Sequence, residues 1–233
     1  MIIIPIPKSA SSSLFYTLSR FLSYYGILES GVLDFRSKRY LHIVDDSKNN
    51  YQKGFYWDRI TSNDYKFIHK WHPDCVEINK NDIIEISRKN RLYKNHILPT
   101  RNNLILLNDV KKVILLRDYH DVIFAYRRAF IRGIPRINFF NVYDNFRKDM
   151  TESEWLEESE RLGIVDDLKL FYNNWSDYDG ECLKITYNSV INNTTDTINK
   201  ILKYYEINFV LKDIELLELL YTRNKVGTHR FRA

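Results

Sequence analysis

The chain opens on an apolar run, Ile2 to Ile6, that reads as a short strand. A polar turn of small residues follows, from Lys8 to Ser13, and then the period changes. Leu14, Phe15, Leu18, Phe21, Leu22 and Tyr25 fall on one helical stripe, and Gly26 is placed to end it. From there to about residue 63 the pattern is mixed. Tyr40 to Val44 is a candidate strand, and Asn49, Asn50 and Gly54 suggest turns. Tyr51, Phe55, Tyr56 and Trp57 form an aromatic patch, either core or the wall of an acceptor pocket. Lys66 to His69 reads as another short strand, residues 79–93 as polar and helical or irregular. Arg91 to Pro99 is an extended piece that its proline stops, and a polar stretch follows.

The second half is clearer. Val113 to Leu116 is apolar on both faces, as a central parallel strand requires, and it runs into the charged turn at Arg117. Asp118 is placed to cap a helix through Phe130, with Asp121 at its third position and Val122, Tyr126, Ala129 and Phe130 inward. A loop with Arg132, Arg136, Phe139 and Phe140 precedes an acidic segment, Glu152 to Glu160, that reads as a solvated helix face. Asp166 to Trp175 is a helix with Leu168, Phe171, Tyr172 and Trp175 inward, and Cys182 to Thr186 a third strand. Thr194 or Thr195 caps a helix carrying Ile198, Ile201, Leu202 and Tyr205, and a last helix, Ile214 to Tyr221, precedes a basic tail. Strands alternating with helices predict an α/β layer fold with a mainly parallel sheet. No internal repeat is visible.

Composition narrows the class. A chain of 233 residues holds one sizeable core, so a single domain over 1–233 is expected, and 44% apolar content with 15% aromatic is globular. Cys75 and Cys182 define neither a disulfide framework nor a metal site. The first apolar run is too short for a signal peptide, and no run approaches the ~18 residues of a membrane span. A soluble, cytoplasmic protein is the expectation. The net charge of +5, with Arg223, Lys225, Arg230 and Arg232 in the tail, favours anionic partners. No basic run with interleaved aromatics suggests nucleic acid.

A strand, a small polar loop and a helix N-terminus make an anion trap. The first helical amides have no intrahelical partner, the helix dipole favours negative charge, and Lys8 adds a full one. The loop lacks the glycines of a nucleotide-triphosphate P-loop, and its lysine comes first rather than last. Arg117 stands at the carboxyl end of a central strand, where open α/β sheets bind ligands.

Pro7-Lys8-Ser9-Ala10-Ser11-Ser12 resembles the 5′-phosphosulfate loop of sulfotransferases, P-K-[ST]-G-[ST]-[ST], departing at Ala10. The Arg117 unit is similar to that family's 3′-phosphate strand. Arg117, Asp118 and Asp121 match, while Tyr119 replaces a proline and Ala125 the phosphate-binding serine. Lys94-Asn-His96-Ile-Leu-Pro99 looks like the K-T-H-L-P segment, whose histidine is the general base, a role suited to a side chain that is largely neutral at cellular pH. Lys70-Trp-His72-Pro73 is a competing segment, but it lies too far from Arg117. Cys182 to Tyr187 resembles the strand whose tyrosine lies by the adenine, with Asn188 for the usual glutamate. Ser13 stands where the adenine-stacking tryptophan is expected. The tail from Arg223 to Phe231 resembles the loop that grips the 3′-phosphate, and there the carried-over residues are Arg223, Lys225, Val226 and Gly227.

The resemblance implies a P-loop-like three-layer sandwich and transfer of a sulfuryl group from 3′-phosphoadenosine-5′-phosphosulfate (PAPS) to a hydroxyl or amine. The product is adenosine 3′,5′-bisphosphate (PAP), and no metal is needed. It implies Lys8, Lys94 and His96 as catalytic residues. It assigns the donor to Lys8, Ser9 to Ser13, Arg117, Tyr187 and the tail, and it implies a small-molecule or carbohydrate acceptor. Acceptor specificity would lie in residues 27–90 and 131–165. Two further readings stay open: a degenerate nucleotide-binding relative without turnover, and a P-loop-type small-molecule kinase. Oligomeric state is left open.

Overall fold

The structure is a computed structural model that describes residues 1–27, 83–84, 87, 92–94, 96–133 and 145–212. The expected strands at Tyr40–Val44 and Lys66–His69, the aromatic patch near Trp57, the helix Ile214–Tyr221 and the basic tail lie outside the described residues.

Among the described residues, four parallel strands form one sheet in the order β2-β1-β3-β4. They are β1 (Ile2–Pro5), β2 (Tyr93–Lys94), β3 (Lys112–Leu116) and β4 (Cys182–Thr186). Ile3 pairs with Val113 and Ile2 with Tyr93, so the apolar opening run is interior. Leu116 pairs with Thr186 at the far end of the β3–β4 ladder. Because side chains alternate across a strand, the run of isoleucines serves two cores at once. Ile2, Ile4, Ile6, Ile114 and Leu116 face one core, and Ile3, Val113, Leu115 and Ile185 the other.

Helices cover both faces, which makes three layers. On the Ile3 face lie α1 (Ser11–Tyr24), α6 (Tyr187–Asn192) and α7 (Thr194–Tyr204). On the Ile4 face lie α3 (Tyr119–Ile131), α4 (Glu152–Arg161) and α5 (Ile164–Ser176). The short α2 (Arg101–Leu106) joins β2 to β3. The α1 stripe is buried from Leu14 to Leu22 as its spacing predicts, Tyr25 is half-buried, and Gly26 follows the helix at φ +67. Asp118 caps α3 by accepting from the amides of His120 and Asp121.

Three expectations change. The acidic segment is not wholly solvated: Trp155 and Ser159, one helical turn apart on α4, are buried, and Trp155 packs against Phe146 and Phe130. The next helix starts at Ile164 rather than Asp166, because Gly163 at φ +77 makes a left-handed turn between α4 and α5. Asn193, not Thr194 or Thr195, is the cap of α7, and the Thr194 hydroxyl donates back to the Val190 carbonyl.

At the amino end of the sheet two polar side chains tie the strands to the segments that lead into them. The Lys112 ammonium is buried and donates to the carbonyls of Leu107, Val110 and Glu181. Burial lowers its pKa to about 8. The Tyr205 hydroxyl accepts from the Ile2 amide at 2.9 Å and lies 3.0 Å from the Lys111 carbonyl, tying β1 to the start of β3. Among the described residues, no helix is long and apolar enough to cross a membrane.

Candidate functional site

Strand order places the site. The chain leaves β1 towards β2 on one side and leaves β3 towards β4 on the other, so the loops after these neighbours diverge. In an open parallel sheet such divergence marks the position of the ligand crevice, at the carboxyl ends of the strands. The Lys8 loop follows β1, Arg117 follows β3, and Lys94 and His96 end β2 on the far side of β1.

The loop from Pro7 to Ser13 is held from within. Ser9 is buried and donates its hydroxyl to the Ile6 carbonyl at 2.7 Å, so that group closes the turn. Ser11 and Ser13 are buried as well, whereas Lys8, Ala10 and Ser12 are only half-buried. The amides of Ser11 to Ser13 belong to the first turn of α1 and have no carbonyl one turn back to bond. Lys8 and Ala10 both take positive φ, +59 and +62. The left-handed region costs an L-residue about 1–2 kcal/mol, which explains why glycine suits this place and what Ala10 gives up. Ala10→Gly is expected to raise unfolding stability by about 1 kcal/mol in a denaturant titration; an unchanged midpoint would mean the loop carries no such cost.

Three cations converge on this loop. The Lys8 ammonium lies 5.1 Å over the ring of Tyr126 on α3. Lys94 is buried and donates to the Ser12 hydroxyl at 3.1 Å, which joins the end of β2 to the first turn of α1. Burial lowers its pKa to about 8, since a charged ammonium loses hydration there. Arg117 donates through Nη1 to the Lys8 carbonyl at 2.7 Å, and its guanidinium lies 3.8 Å from the ring of Tyr187. Its side chain is 9% exposed, and burial lowers its pKa. The Arg117 Nε is buried with no hydrogen-bond partner among the described residues, and the Asp121 carboxylate stands 3.9 Å away.

His96 is half-buried beside this group. Its Nδ1 lies 2.7 Å from the Pro5 carbonyl, an acceptor, so Nδ1–H donates and the neutral ring carries its lone pair on Nε2. The segment after it is clamped by bonds to three carbonyls. Trp175 donates to Ile97, Asn103 to Leu98 and Asn174 to Pro99. These positioning groups were not evident from the sequence. Trp175 reads there as a core residue, and the Pro5 partner comes only from strand pairing.

Arg223, Lys225, Val226 and Gly227 lie outside the described residues, as do Lys70 and His72. Arg132 sits at the distal end of α3, about 20 Å of helix from the Asp118 cap. It is therefore remote from the crevice.

No family model matches the chain, and no curated protein matches it. Among solved structures it is similar to the crystal structure of retinol dehydratase in complex with androsterone and inactive cofactor PAP, with 14% identity and a TM-score of 0.46. The likeness covers 94% of this chain and 62% of that one, so the chain spans less than two thirds of that protein's length.

Proposed function

We propose that the chain is a sulfotransferase that passes a sulfuryl group from PAPS to a hydroxyl or amine of a small-molecule or carbohydrate acceptor. The supporting observation is the meeting of three distant segments at one crevice: Lys8 after β1, Lys94 and His96 at the end of β2, and Arg117 after β3. Each matches a different motif of the same family in the same order.

The donor set suits a nucleotide with an anion at each end. First-turn amides, two ammonium groups and a guanidinium whose buried Nε has no hydrogen-bond partner among the described residues are all cationic or hydrogen-bond donors. When bound, the donor supplies the activated sulfuryl group. The chain's residues do the rest. Lys8 balances the charge that builds on the leaving oxygen, and the amides from Ser9 to Ser13 with the Ser12 hydroxyl hold the 5′ end. Arg117 with Arg223, Lys225, Val226 and Gly227 holds the 3′-phosphate. His96 takes the acceptor's proton at Nε2, and Lys94 stands beside the transferred charge. Catalysis of this kind is positioning and electrostatics, and the side chains present supply both without a metal.

The test is a thermal-shift titration with PAP beside ATP and magnesium. At a hundredfold excess over Kd, PAP is expected to add about 2.7 kcal/mol, or roughly 5 to 10 °C for a chain of this size. Stabilisation by ATP and magnesium alone would move the reading to a kinase. A flat response to both would leave a degenerate relative.

A further inference from the structure

We infer that Tyr187 is a positioning residue for Arg117, holding its guanidinium in the plane that receives a phosphate; this rests on the sulfotransferase reading of the crevice. The family resemblance assigns Tyr187 to the adenine. The geometry points to the cation instead.

Strand register brings the two side chains together. Leu116 pairs with Thr186, so the next residue on each strand, Arg117 and Tyr187, emerges at neighbouring carboxyl ends. The guanidinium carbon lies 3.8 Å from the ring centroid, within stacking distance. Tyr187 has a firm base. It is the first residue of α6, directly after Thr186, which caps that helix in a reciprocal capping box with Ser189.

Arg117 needs such a support. Among the described residues its one hydrogen bond runs from Nη1 to the Lys8 carbonyl, and the Asp121 carboxylate at 3.9 Å is beyond hydrogen-bond reach of Nε. One bond leaves a planar group free to turn about it. A ring face against the plane removes that freedom, so the buried Nε keeps one orientation. The strength of a guanidinium–phosphate contact depends on this planar, forked geometry. Tyr187 is half-buried, so it can be replaced without opening either core.

The experiment compares two ligands that differ only at the 3′ position, PAP and AMP, by titration calorimetry on wild type, Tyr187→Leu and Tyr187→Phe. Loss of the ring is expected to weaken PAP about tenfold and AMP less than twofold, with the phenylalanine variant close to wild type. Equal weakening of both ligands would assign the ring to the base and overturn the inference. Unchanged affinity for both would overturn it as well. Failure of wild type to bind either ligand would count against the sulfotransferase reading alone, and a ligand-free readout then decides. Phenylglyoxal should modify Arg117, read by peptide mass, about fivefold faster in Tyr187→Leu than in wild type or Tyr187→Phe. Equal rates in all three would refute the positioning role.

Discussion

His96→Ala is expected to lower turnover about a thousandfold while leaving affinity for PAP within about twofold of wild type. In the proposed reaction the imidazole serves the acceptor side of the crevice. Its Nδ1 is committed to the Pro5 carbonyl at 2.7 Å, which orients the ring and leaves Nε2 as the basic nitrogen. Removing it leaves the scaffold standing, because Trp175, Asn103 and Asn174 clamp Ile97, Leu98 and Pro99 independently. The lost bond to Pro5 costs only about 1 kcal/mol at a half-buried position. Turnover is measured with PAPS and whichever alcohol, phenol or amine wild type sulfates fastest, and PAP affinity by calorimetry. A variant with wild-type turnover would sink the assignment of the base.

Arg117→Met should have its large effect on binding, not on the base. Affinity for PAP is expected to fall about a hundredfold or more, and affinity for AMP much less. Two losses combine. In the proposed reaction the guanidinium no longer meets the 3′-phosphate, and the Lys8 carbonyl loses its donor. The second loss loosens a loop whose Lys8 and Ala10 already hold left-handed backbone. Thermal unfolding of the free protein should therefore shift down by a few degrees, on the order of 1 kcal/mol. Equal loss for PAP and AMP would place Arg117 at the 5′ end instead.

Where apolar period is strong, the elements were legible. Ile2 to Ile6, the α1 stripe, Val113 to Leu116 and the face of α3 are long enough runs for burial to decide between strand and helix. The weak elements were read poorly for a physical reason. β2 is only Tyr93 and Lys94, and its pairing comes from β1 rather than from its own pattern. α2 was read as a polar stretch, although Thr100 accepts from the Asn103 amide as an ordinary cap. Trp155 was hidden among acidic neighbours, since a single large ring can anchor α4 without a repeating stripe.

The candidate site divides in the same way. Lys8, Lys94, His96 and Arg117 were legible because their side-chain chemistry and spacing form motifs. Their supports were not, because Pro5, Ser12, Tyr126 and the Tyr187 ring reach them only through register and packing. The inward bond of the Ser9 hydroxyl to the Ile6 carbonyl was equally invisible in the motif.

The position of β1 inside the sheet bears on how the chain acquires its structure. Ile2 waits for Tyr93 and Ile3 for Val113, so both edges of β1 are completed by segments roughly a hundred residues later. Nascent chains that stop short of β2 would carry β1 unpaired on both edges, an almost wholly apolar strand. Such a strand invites pairing with other chains and gives holdase chaperones a reason to engage early. Folding should accordingly be slow for this size, and refolding yield should drop steeply as protein concentration rises.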